Sequence, residues 1–139
     1  MTVDCFVDTN VLFYAAMARF TAPAKYERAR WIIAETDFGL SVQLLQEFFV
    51  DVTRKTDKPL SSHVALQWID ALVDRPCVVI DTDLVVAAVH VSDRYHISYW
   101  DGAIIAAAQR LSAPVIYTED LNHDQSYGSV RAVNPFRVH

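Results

Sequence analysis

The sequence predicts an α/β sandwich of three layers, with a mostly parallel central sheet flanked by helices. Short apolar runs of strand character alternate with longer helix-patterned segments, the pattern of helices packed on a sheet. The runs are continuously apolar, as strands are when both of their faces are covered. Hydrophobic residues make up 53% of the 139 and charged residues 21%, with only three Gly and five Pro. That composition suits one well-packed domain over residues 1–139 and leaves no room for a second.

Taken in order, Asp4–Val7 predicts a brief buried strand and Thr9–Phe20 a helix. Pro23 fits a first helical turn, where its missing N–H costs nothing. Tyr26, Ala29 and Ile33 then recur at helical spacing across Ala24–Glu35. Phe38–Ser41 is the second strand. Val42–Arg54 is an amphipathic helix with Leu45, Phe48, Phe49 and Val52 on one stripe. Pro59 interrupts the chain, and Leu60–Val73 forms the next helix. Cys77–Ile80, behind Pro76, is a third strand, and helices follow over Leu84–Tyr95 and Ser98–Leu111. Pro114 opens a fourth strand, Val115–Tyr117. The polar segment Glu119–Ser129 reads as a loop, and Val130–Val133 as a last short strand before Pro135.

Seventeen acids against twelve bases give a net charge of −5. A broad basic surface for coating nucleic acid is thereby excluded, because such surfaces displace counterions with excess Lys and Arg. Nucleic-acid chemistry would need a local basic rim or bound metal ions. Cys5 and Cys77 sit inside apolar runs with no Cys or His at ligand spacing, so they are expected to be buried free thiols of a cytosolic protein. No signal-peptide pattern opens the sequence, and the longest apolar stretches are far too short to span a bilayer. A soluble, cytoplasmic protein with no membrane partner is expected.

In open sheets of this kind, sites form beyond the carboxyl ends of the strands. Those ends carry Asp8-Thr9-Asn10, Asp81-Thr82-Asp83 and Thr118-Glu119-Asp120, while Asp101 lies in the first turn of the Ser98 helix and Glu47 on the third helix. Carboxylates gathered on one sheet edge repel each other unless a cation offsets them. Oxygen ligands without thiol or imidazole favour Mg²⁺ or Mn²⁺, and such a cluster activates water and stabilises a phosphoryl group during hydrolysis. Each acid has a plainer role open to it. Asp8 can cap the following helix, Ser98 and Asp101 have the spacing of a capping box, and Asp120 can be a turn residue. Glu47, beside Gln43, Asp51 and Arg54, can belong to a solvated face or to a polar cleft, and periodicity does not separate the two. Asp81 and Asp83 read as flanking a helix start, not as site residues.

The conjunction is more specific than its members. FVDTNVLFYA at 6–15, Gln46-Glu47-Phe48, SYWDGAIIAAA at 98–108, VIYTEDLNH at 115–123 and RAVNPF at 131–136 occur in one order along nearly the whole chain. The sequence resembles the PIN-domain family, and within it the VapC-type toxins of type II toxin–antitoxin modules. The resemblance implies a metal-dependent endoribonuclease that inhibits translation. Asp8, Glu47, Asp101 and Asp120 would be its catalytic acids, holding one or two Mg²⁺ or Mn²⁺ ions. Asn10 and Thr118 match supporting polar positions, and Glu119 competes with Asp120 for the metal. RNA as substrate, products with a 5′-phosphate and a 3′-hydroxyl, a homodimer, and an antitoxin whose C-terminal segment blocks the acidic cleft are implied as well. The chain departs from the pattern at Gly102, where relatives often carry a larger residue, and at Asp124-Gln125, where many have Gly-Gln.

Around these acids, Arg19, Lys25, Arg28, Arg30, Arg54, Lys55 and Lys58 can contact phosphates on a rim or simply solubilise helix surfaces. Trp100 and Tyr99 can stack on a base, although a Trp beside an apolar helix is more often core. The aromatic-rich segment 11–33 combines core packing with a possible partner patch. Of His63, His90, His96, His123 and His139, only His123 adjoins the acidic loop. Two other classes compete with the nuclease. A haloacid-dehalogenase-type phosphatase needs Asp-x-Asp where Asn10 stands, and a receiver module needs a Lys on a late strand, yet the lysines are Lys25, Lys55 and Lys58. A non-catalytic binding module predicts acids dispersed in space, or a protein that metal leaves unchanged.

Overall fold

The computed structural model describes residues 3–137, so His139 lies outside it. The sheet grows from the centre. β1 (Cys5–Val7) pairs in parallel with β2 (Phe38–Ser41) on one side and with β4 (Val115–Tyr117) on the other. β3 (Cys77–Val78) extends the first side, and β6 (Val130–Val133) then β5 (Ser126–Tyr127) the second, giving the order β3-β2-β1-β4-β6-β5. Only β5 runs antiparallel. The strand order thus reverses between β1 and β4, the switch point beyond whose carboxyl ends sites form in open sheets.

Six helices cover the two faces among the described residues: α1 (Thr9–Met17), α2 (Pro23–Glu35), α3 (Val42–Arg54), α4 (Ser62–Leu72), α5 (Thr82–Tyr95) and α6 (Tyr99–Arg110). Their starts follow local chemistry. Asp8, Ser61, Asp81 and Ser98 each accept a backbone N–H at a helix entry. Pro23 sits at the first turn of α2, as its fixed φ favours. The core between sheet and helices holds Phe6, Phe38, Phe48, Leu12, Ile32, Leu40, Ile105 and Ile116, all fully buried. In α6 every residue from Gly102 to Ala108 is buried, which small side chains permit by letting neighbours approach on all sides. Gly102 is the tightest point: a Cβ there would stand 2.6 Å from the Ala88 carbonyl oxygen and 3.1 Å from the Ser92 nitrogen of α5. The departure at Gly102 is therefore a packing requirement of the α5–α6 pair.

The expected elements hold with local differences. The first helix stops at Met17, short of Phe20, which is 86% exposed and has no core to reach. β3 covers only Cys77–Val78. Val79 and Ile80 run past the end of the edge pairing and are exposed, and α5, capped by Asp81, then starts at Thr82, two residues before the apolar pattern. The fourth helix starts at Ser62, not Leu60, whose N–H bonds the Val52 carbonyl instead. The segment 119–129 is not loop throughout, because Ser126–Tyr127 pairs back on β6 and buries Tyr127. No helix of the described residues is long and apolar enough to cross a membrane.

Candidate active site

Asp8 follows the last residue of β1, and its N–H bonds the Tyr117 carbonyl of β4 at 3.0 Å. Its carboxylate is buried. Oδ1 accepts the Thr9 N–H at 2.7 Å and Oδ2 accepts the Thr118 hydroxyl at 2.7 Å. Both bonds favour the ionised form, yet burial outweighs them, and the nearby charges of Asp120 and Glu47 add to it. The Asp8 carboxyl is pushed from 3.8 up to about 7. The shift disfavours the ionised carboxylate by on the order of 4 kcal/mol relative to one in solvent, a penalty that a bound cation would offset. Thr118, fully buried, also accepts the Asp120 N–H at 3.1 Å, so one hydroxyl fixes two acids.

The other acids reach the same place from separate elements. Asp101, in the first turn of α6, donates its N–H to Ser98 Oγ at 3.0 Å. The Ser98 hydroxyl thus caps the helix through the Asp101 main chain, and the Asp101 side chain lines the cleft. Glu47 Oε1 accepts from Thr9 Oγ1 at 3.4 Å and from Gln43 Nε2 at 3.3 Å. Asp120 Oδ2 accepts from Asn10 Nδ2 at 3.2 Å. Burial raises the Asp101 carboxyl, tempered by Ser98 and reinforced by the charge of Asp120. Burial likewise raises Glu47, against the bonds from Gln43 and Thr9 and with the charges of Asp51 and Asp101. The four acids border one cleft of about 380 Å³.

Of the two readings left open for Glu47, the structure has the polar cleft. The face Gln43, Glu47, Asp51, Lys55 repeats every four residues along α3, and the last three border the cleft. Glu119 turns away: it bonds the Tyr14 hydroxyl and pairs with Lys25 Nζ at 3.1 Å, and it does not border the cleft. Asp81 caps α5 and pairs with Arg110 at 3.0 Å, outside the cleft. His123 accepts the Asn134 N–H on Nδ1 at 3.0 Å and meets Asp124 through Nε2, so it shapes the loop. Trp100 is not core. It is 65% exposed and lines the cleft beside Asp101. Sequence reasoning gave Thr9 no role and did not single out Asp51 or Tyr14, all three of which border the cleft. The i, i+4 polar ladder on α3 was the signal for Asp51.

Among the described residues, no three His, Cys, Asp or Glu side chains stand together as a ready-made metal cage. The lining still fits a hard divalent ion. It offers oxygen donors with no thiol or imidazole, and Mg²⁺ keeps several waters while binding through only one or two carboxylates. Asn10 Oδ1 is buried with no hydrogen-bond partner, an acceptor left unsatisfied beside the acids. The gathered acids are the opposite of the dispersed placement that a purely binding module predicts.

A family model described as PIN domain matches residues 5–128. No curated protein matches the sequence. Among solved structures, a toxin–antitoxin complex from Klebsiella pneumoniae superposes with a TM-score of 0.71 at 18% identity, covering 96% of this chain and 99% of that one. Mycobacterium tuberculosis VapC20, described as a sarcin–ricin loop cleaving toxin, gives 0.67 at 20% identity over 84% and 89% of the two chains. FitAB bound to a DNA fragment gives 0.68 at 20% identity over 97% of each. At such identities these likenesses speak for the fold.

Proposed function

The chain belongs to the PIN-domain family, and from that premise we propose that it is a cytoplasmic metal-dependent endoribonuclease, the toxin of a type II toxin–antitoxin pair that inhibits translation. One observation carries the chemistry: Asp8, Glu47, Asp101 and Asp120, from four separate elements, border a single cleft where Asp8 is held at about 7. Asp8, Glu47, Asp101 and Asp120 would hold Mg²⁺ or Mn²⁺, in part through water. When bound there, the ion supplies an activated water and positive charge beside the scissile phosphate. The chain's own residues prepare the site. Thr118 and the Thr9 N–H fix the Asp8 carboxylate, Asn10 orients Asp120, and Gln43 with Thr9 holds Glu47. Asn10 Oδ1 is buried and unpartnered, and it would be an acceptor for a water brought in with the ion.

The neighbour described as a toxin–antitoxin complex supports an antitoxin partner. Its C-terminal segment would occupy the acidic cleft, and the toxin would act as a homodimer. The test is cleavage of mixed RNA with Mg²⁺ or Mn²⁺, using Asp8→Asn and Asp101→Asn as controls. Products with 5′-phosphate ends that vanish in both variants support the reading. Cleavage that persists in both overturns it.

A further inference from the structure

We propose that Trp100 and Lys55 form a nucleotide subsite beside the carboxylates, the indole taking an unpaired base of single-stranded RNA and the ammonium an adjacent phosphate. The inference rests on the ribonuclease reading above and adds what the cleft selects. A few residues after Trp100, α6 is buried continuously, yet Trp100 in its first turn is 65% exposed and borders the cleft. Tyr99 packs edge-on against it with centroids 5.0 Å apart, which limits the ring's motion. Its carbonyl accepts from Gln43 Nε2 at 3.3 Å, the same amide that holds Glu47, so platform and acid share one support. The other tryptophans are engaged elsewhere. Trp31 lies under Arg28 at 4.9 Å, and Trp68 packs on Phe48 with Arg30 beside it.

Lys55 is the one cationic side chain bordering the cleft. Its only ion pair among the described residues is a loose 3.8 Å contact with Asp51, and its side chain is 69% exposed. Lys25 and Arg28, by contrast, are committed to Glu119 and to the Pro135 carbonyl. A cation and an exposed indole flanking a carboxylate cleft match the two features of a nucleotide: a phosphate and a π-face. Stacking accepts any base, whereas a base inside an A-form duplex has its faces covered. The subsite therefore selects strandedness and not sequence.

The test measures cleavage kinetics on a short mixed-sequence single-stranded RNA and on the same strand annealed to its complement. Stopped-flow quenching of tryptophan fluorescence reads binding of the single strand before turnover. In Trp100→Ala, KM for the single strand is expected to rise about tenfold with kcat within about twofold. Trp100→Phe keeps most of the affinity, Trp31→Ala changes nothing, and Lys55→Ala raises KM and flattens its salt dependence. The quench is lost in both Trp100→Ala and Trp100→Phe, because neither keeps the indole, and it persists in Trp31→Ala. Unchanged KM in Trp100→Ala, equal losses of affinity in the Ala and Phe variants, a quench persisting in Trp100→Ala, or equal use of the duplex would each overturn the subsite. RNA cleavage with an unaffected KM removes the subsite and leaves the nuclease. A Trp100-dependent quench without cleavage by the wild type removes the nuclease and leaves the subsite.

Discussion

Asp8 and Asp81 do the same local job in opposite surroundings. Each follows a short parallel strand, adopts extended backbone and caps a helix with its carboxylate. Asp81 stands in solvent at the sheet's edge, paired with Arg110, and that guanidinium together with the Leu84 N–H holds its carboxyl below the usual range. Asp8 stands at the switch point, buried between β1 and β4 and facing other acids, and its carboxyl is driven up to about 7. A cap by itself therefore says nothing about function. The surroundings decide: solvent and a guanidinium keep Asp81 low, whereas burial, with other acids nearby, drives Asp8 up.

The comparison breaks most visibly in activity. Asp8→Asn and Asp101→Asn should each lower RNA cleavage on the order of a thousandfold, while Asp81→Asn, which keeps the cap, stays within about twofold in the same assay. Next comes the pH dependence in EDTA. The folded Asp8 binds its proton more tightly than the unfolded chain does, so its contribution to stability is complete below 3.8 and is lost as pH rises through about 7. Burial raises Glu47 and Asp101 in the same direction. Above pH 7, Asp8→Asn should melt roughly 5–10 °C higher than wild type, with the gap closing toward acid pH and on adding millimolar Mg²⁺. Asp81 runs the other way: its contribution is present above the ordinary carboxylate range and is lost as acid protonates it.

Gly102→Ala sharpens the comparison from the α6 side. The added methyl meets the α5 backbone and should cost about 1–3 kcal/mol in chemical denaturation. Because Asp101 is the next residue, cleavage falls with it. Asp81→Asn should be the smallest effect, a melting change of about 2 °C or less that disappears at high salt.

Much of this was legible in the sequence, because alternating apolar runs and acids at strand ends follow from the chain itself. What escaped depends on neighbours remote in sequence. β5 is two residues long and exists only by pairing with β6. Val79 and Ile80 are as apolar as strand residues, yet the edge offers them nothing to pack on. The Gln43-to-Lys55 ladder has the same period whether it faces water or a cleft, so Glu47 could not be placed. Trp100 carries a core residue's chemistry, and only the turn at Ser98 shows it facing outward. Choosing Asp120 over Glu119 needed Lys25 and Tyr14, whose pairing with Glu119 spans 94 and 105 residues.

The central claim, that these acids form one divalent-cation site, is tested most directly by titrating Mn²⁺ calorimetrically into the wild type and into the Asp8→Asn/Asp101→Asn double variant near neutral pH. Saturable binding by the wild type that is absent from the double variant is the predicted result. Equal binding by both proteins, or none by the wild type at millimolar Mn²⁺, would contradict it.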